Sequence, residues 1–184
     1  MPRLAVDIRL LYTPEALLAY VMLGLFLAPF ALLYVVMFRG SERIFKALER
    51  KGLPRIAKPV IGALLAGLVG LLVPHVLGSG REATARAILE IGVSDGDLKV
   101  WGLSLSLSLV IIAIAKMAAT SLSIGSGGSG GVFAPGIMIG SLLGGSFGLA
   151  VSRALSDLPP ETFSYMGMAV LFGAAAKAPQ PLAS

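Results

Sequence analysis

The 184-residue sequence contains no cysteine, which excludes disulfides and thiolate metal sites. It has a single histidine, His75, too few for a histidine-cluster metal site. Charge is also scarce: Asp, Glu, Lys and Arg make up 14% of the residues, against about 25% in soluble domains. No Ser/His/Asp arrangement exists, and no paired carboxylates fall in a deep segment, so no enzyme and no cofactor are expected. Apolar residues take the place of these groups, at 56% of the chain with a mean hydropathy of +0.88. The class is integral membrane.

Acids are fewer than bases, 10 against 15, so the net charge is +5. In a soluble protein this would suggest a nucleic-acid partner. Here the cations sit in short stretches between apolar runs, where they set topology, and no nucleic acid is expected. The N-terminal "MPRLAVDIRLLYTPEALL" does not read as a signal peptide, because Asp7 and Arg9 break its apolar stretch.

The first long uncharged run is Ala16 to Phe38. As a helix over 16–38 it would be about 35 Å long, enough to cross a bilayer, with Pro29 bending it. Arg39 to Lys58 then holds seven Lys or Arg. An anionic-lipid or nucleic-acid patch is one reading; a cytoplasmic loop with a helical extension, obeying the positive-inside rule, is the favoured one. A second helix is expected over 59–77, where Gly62, Ala66 and Gly70 put small residues on one face for close approach by another helix. His75 falls near its far interface. After the charged Arg81 to Val100, a third apolar run starts at Trp101, an interface anchor, and meets Lys116, with a helix expected over 101–120. The alternation in "SLSLSLS" suggests a strand, but an isolated strand cannot satisfy its backbone in lipid. Further helices are expected over 133–152 and 163–176. The whole of 1–184 reads as one transmembrane region without a soluble domain.

Between the third and fourth runs lies "IGSGGSGGVFAPG", Ile124 to Gly136. A Gly/Ser repeat commonly marks a flexible linker. Irregular backbone at membrane depth, however, is tolerated only where protein buries it or water reaches it. If the segment is deep it implies a cavity or pore; if it is at the surface it is a plain loop. Pro135 suits the first turn of a helix. Gly136, Gly140, Gly144 and Gly148 then repeat every four residues, one face made for close packing. A helix broken at its start near Pro135 would present unpaired N–H groups and positive partial charge, an anion site without any lysine or arginine. Val132 and Phe133 supply the natural donors.

"GSGGSGGVFAP" followed by "GIMIGSLLGGSFG" resembles the signature of the chloride channel (CLC) family of channels and proton-coupled antiporters. "KPVIGALLAGLVGLLVPHVLGSG" upstream and "MGMAVLFGAAAKAP" downstream are similar to family helices as well. The resemblance implies an all-α, polytopic membrane fold of inverted repeats, a homodimer in a cell membrane, the inner or plasma membrane, and chloride as the transported ligand. It implies that the amides of Val132 and Phe133 contact the anion, while Gly131, Ala134 and Pro135 shape the turn. The chain resembles the middle of the second repeat only. The family's "G-S-G-I-P", "G-R-E-G-P" and late tyrosine segments have no counterpart here, which leaves channel and antiporter, and the anion preferred, both open. A fragment of this extent is expected to conduct nothing alone. The terminal "KAPQPLAS" departs from the family continuation. "GSGREAT", Gly78 to Thr84, lacks the Ile-Pro and Gly-Pro that would make it a serine or glutamate motif, so Glu82 reads as an interfacial acid and Asp95 and Asp97 as loop residues. The alternative from another class is a helical scaffold or anchor whose glycine stripes serve packing only.

Overall fold

The computed structural model describes residues 13–77, 99–151 and 158–177. Glu82, Asp95, Asp97 and the terminal 178–184 lie outside them. The described residues form helices and turns, with no strand among them.

Helix α1 runs Pro14–Arg50. Thr13 caps it, its hydroxyl accepting from the Ala16 N–H at 3.2 Å, and Pro14 opens its first turn. Pro29 lies inside the helix without ending it. The helix also continues twelve residues past Phe38, through the basic segment. Arg, Glu, Lys, Ala and Leu are all good helix formers, and the first conformational break is Gly52 at φ 100, two residues before Pro54.

After that turn comes α2, Ala57–Leu72, and Lys58 and Arg55 bond the Glu49 carboxylate at 2.6 and 2.9 Å. A short 3₁₀ turn, Pro74–Val76, follows and holds His75. Helix α3 spans Leu105–Gly125, α4 Phe133–Val151 and α5 Pro160–Lys177. Trp101, 69% exposed, sits in the turn before α3. Helices α1, α3 and α4 are each long and apolar enough to cross a membrane. The chain is an integral membrane protein of all-helical architecture.

The serines of "SLSLSLS" act as helix ties. Ser108 accepts from the Val100 N–H at 3.0 Å, fixing the turn into α3. Ser106 and Ser146 bond each other's backbone carbonyls, at 3.2 and 2.9 Å, and lock α3 to α4. Interhelical bonds of this kind contribute about 0.6 kcal/mol on average in membranes. Ser146→Ala removes one of the two carbonyl bonds and is expected to cost about that much, read from thermal unfolding in detergent.

The core joins α1, α3, α4 and α5. Leu23, Leu27, Leu109, Ile112, Met138, Leu142 and Phe163 are essentially inaccessible. Ring contacts run from Phe26 to Phe147 (5.5 Å), from Phe147 to Phe163 (5.5 Å) and from Phe163 to Tyr20 (6.0 Å), tying α1 to both late helices. The tightest seam is α4 on α5. A methyl added at Gly140, Gly144 or Gly148 would fall into the backbone carbonyls of Gly167, Phe163 or Pro160, respectively. On α2 the small-residue stripe behaves differently along its length. Gly62 meets the end of α3 at Ser126 and Leu122, whereas Gly70 is filled by the Leu77 side chain rather than by another helix.

Candidate functional site

The glycine segment begins as a helix stop. Gly127 adopts φ 93, its N–H bonds the Ile124 carbonyl at 2.9 Å, and the Gly128 N–H bonds the Ser123 carbonyl at 3.2 Å. This paired arrangement is a Schellman cap, which needs a residue that tolerates the left-handed region. At the other end, the first bond of α4 runs from the Gly136 N–H to the Val132 carbonyl at 3.1 Å. The helix thus starts at Phe133, two residues before Pro135. Only a few residues between two defined helix ends are irregular, so the segment is a shaped reversal and not a slack spacer.

This start leaves the N–H groups of Val132, Phe133 and Ala134 without acceptors inside the helix. Pro135, third in the helix, has no N–H to leave over. The positive end of the macrodipole is therefore concentrated on those three amides. The Phe133 ring, 44% exposed, packs on Phe172 of α5 at 5.5 Å.

The register of the helices sets the depth of this start. Helix α2 runs antiparallel to α3 through the Gly62–Ser126 approach and the Lys116–Val76 bond. Helix α3 runs parallel to α1: its end, Gly125, lies against Ser41, three residues past Phe38, while Ser106 near its start bonds Ser146, next to the Phe147 ring that meets Phe26. In the antiparallel pair fixed by Ser106 and Ser146, Phe133 comes level with Ala119. That is six residues, about 9 Å, back from the end of α3. The start of α4 therefore lies level with the last turn of the apolar run of α1. The segment itself is exposed at Gly127, Ser129, Gly130, Gly131, Phe133 and Ala134.

Behind it lies a cavity of about 400 Å³, lined among others by Ala66 and Gly67 of α2, Lys116 and Thr120 of α3, and Gly131 and Pro135. Of the five residues expected at the site, Gly131 and Pro135 line this cavity, while Val132, Phe133 and Ala134 do not. Lys116 is the feature the sequence did not single out. It is 5% exposed, in the middle of α3, and its Nζ donates to the Val76 carbonyl at 2.7 Å. That bond ties the 3₁₀ turn to α3 and holds the Lys116 Nζ on the cavity wall. A lysine inside an apolar helix is costly in a membrane and marks a water-filled or functional cavity. A lone charge amid apolar residues was the available signal. Among the described residues no cluster of His, Asp and Glu could hold a metal ion.

A model of the voltage gated chloride channel family matches residues 2–182. The H(+)/Cl(-) exchange transporter ClcA of Vibrio vulnificus strain YJ016 is 32% identical over 170 residues, covering 90% of this chain and 33% of the relative. The ClcA exchange transporter of Klebsiella pneumoniae is 30% identical over 165 residues, 87% of this chain and 32% of the relative. The chloride channel protein CLC-f of Arabidopsis thaliana is 30% identical over 169 residues, 87% of this chain and 21% of the relative. The chain spans about a third of the length of the bacterial relatives. No solved structure matches.

Proposed function

The chain belongs to the voltage-gated chloride channel family, and from that premise we propose that it forms part of a pathway for chloride through a membrane. The amides of Val132 and Phe133 hold the anion at the start of α4, and Gly131, Ala134 and Pro135 shape the turn. The observation that supports this reading is a helix start with amide donors unpaired within the helix, next to a cavity lined by Gly131, Pro135 and the buried Lys116. Backbone dipoles bind an anion without the strength of a direct ion pair, and conduction needs release as much as capture. Lys116, tethered by the Val76 carbonyl, adds a polar donor on the cavity wall. The relatives' names include both proton-coupled exchangers and a channel, and for this chain exchange is the reading we adopt. The working form is a homodimer in a cell membrane.

The test is halide efflux from liposomes reconstituted with the protein at its full natural length, with internal pH recorded in parallel. Efflux with coupled proton movement is the expected result; absence of any halide flux overturns the assignment. Lys116→Met is expected to lower efflux about tenfold, equivalent to ~1.4 kcal/mol, while Lys116→Arg keeps most of it. Equal flux in the Met and Arg variants would remove Lys116 from the pathway.

A packing-only scaffold is the second reading, favoured by one observation. Gly140, Gly144 and Gly148 are all occupied by contact with α5, so the stripe itself says nothing about transport. The efflux assay separates the two readings.

A further inference from the structure

The extension of α1 beyond its apolar run carries an ordered charge pattern. Arg39, Arg43, Lys46 and Arg50 are spaced four, three and four residues apart. At 100° per residue they fall within about 60° of one another, as one row about 17 Å long. All four are exposed, and none pairs with an acid among the described residues. Two acids flank the row: Glu49 is taken by Lys58 and Arg55, and Glu42, three residues after Arg39 and four before Lys46, forms no ion pair among the described residues, so the extension keeps a net positive face. A second row, Ile44 and Leu48, lies about 140–180° from Arg39 around the helix. These side chains are 61% and 37% exposed. Between the rows the helix presents only small residues, Gly40 and Ala47. The remaining face holds Ser41 and Phe45, buried against the bundle, and the half-buried Glu42 and Glu49.

We propose that this extension of α1 is a binding surface for anionic phospholipid, with headgroup phosphates along Arg39, Arg43, Lys46 and Arg50 and acyl chain against Ile44 and Leu48. Three observations select lipid over a soluble acidic partner. Arg39 directly follows Phe38, the last residue of the apolar run, so the row starts at headgroup depth. The 23-residue run, about 35 Å as a helix, exceeds a hydrocarbon core of about 30 Å, so α1 tilts and the row stays near the interface, with the long side chains reaching back. Exposed Ile44 and Leu48, on the face away from the cations, give the extension the two-faced character of a helix at an apolar–polar boundary. Juxtamembrane clusters of four or more cations attract anionic lipid through their summed charge. The proposal goes beyond topology setting, which needs only the number of cations and not their alignment.

The experiment is native mass spectrometry of the purified protein in mixed micelles of phosphatidylglycerol and phosphatidylcholine. Retention of phosphatidylglycerol is expected at least about tenfold above phosphatidylcholine. The variant Arg43→Gln/Lys46→Gln leaves Arg39 and Arg50 to hold topology and is expected to lose most of that preference. Lys51→Gln, which removes one cation outside the row, is expected to retain it. Equal retention of the two lipids by the unaltered protein overturns the proposal without any variant. So does a preference that the double variant leaves unchanged. Displacement of bound phosphatidylglycerol only by heparin or DNA, and not by phosphatidylglycerol vesicles, assigns the row to a soluble polyanion and overturns it as well.

Discussion

Gly144→Ala is expected to destabilise the folded protein by about 1–3 kcal/mol, and Gly144→Val by more. The added Cβ would meet the Phe163 carbonyl and the Cα of Ser164. Both are backbone atoms of α5, and neither can swing aside as a side-chain tip would. Two effects compete at such a site. Alanine is better than glycine in a helix interior by up to about 1 kcal/mol. Separating two packed helices by several tenths of an ångström along a whole seam costs more, because Gly140 and Gly148 share that seam and their contacts open too. Overpacking therefore wins at Gly144. Gly24 on α1 supplies the control: a Cβ there meets nothing within 4 Å, so Gly24→Ala is expected to be neutral or stabilising by about 0.5–1 kcal/mol. Thermal unfolding in detergent, followed by circular dichroism, reads both. Equal melting temperatures for the two variants would show that the α4–α5 seam relaxes freely.

That seam was visible in the sequence, because a four-residue glycine period is a local signal and the helix repeat converts it directly into a face. The membrane class and the helical reading of "SLSLSLS" were legible for a similar reason: the cost of unpaired backbone in lipid leaves little choice. The basic segment after Phe38 was expected as a loop with a helical extension, and its strong helix formers carry α1 on to Arg50. Two features were not legible. The Schellman cap at Gly127 was hidden because every neighbouring residue is also Gly or Ser, so composition could not say which glycine takes the left-handed conformation. Lys116 marked only the interruption of an apolar run. Its role depends on Val76, forty residues earlier and on a different element, and on a cavity wall built by three segments. Long-range juxtapositions of that kind leave no periodic trace.

The sharpest expectation for the site itself concerns one amide. Phe133 is the first residue of α4, a position where proline is favoured and where its fixed φ already suits the helix. Phe133→Pro therefore deletes the Phe133 N–H with little cost to the helix. Val132 lies before the helix, where the restriction proline places on its predecessor is tolerated. A hydrogen bond to a charged group is worth about 1.5–3 kcal/mol. Chloride affinity should accordingly fall by about 10- to 100-fold, measured by isothermal titration on the purified protein and as halide efflux from liposomes. The substitution also removes the ring that stacks on Phe172, so Phe133→Ala is the necessary comparison. Alanine loses the ring and keeps the N–H, and it should bind chloride within a few-fold of the unaltered protein. If the amide holds the anion, proline and alanine separate widely. If the ring merely seals the site, the two variants weaken binding equally, and the donor passes to another group, with Val132 and the lysine-lined cavity the next places to look.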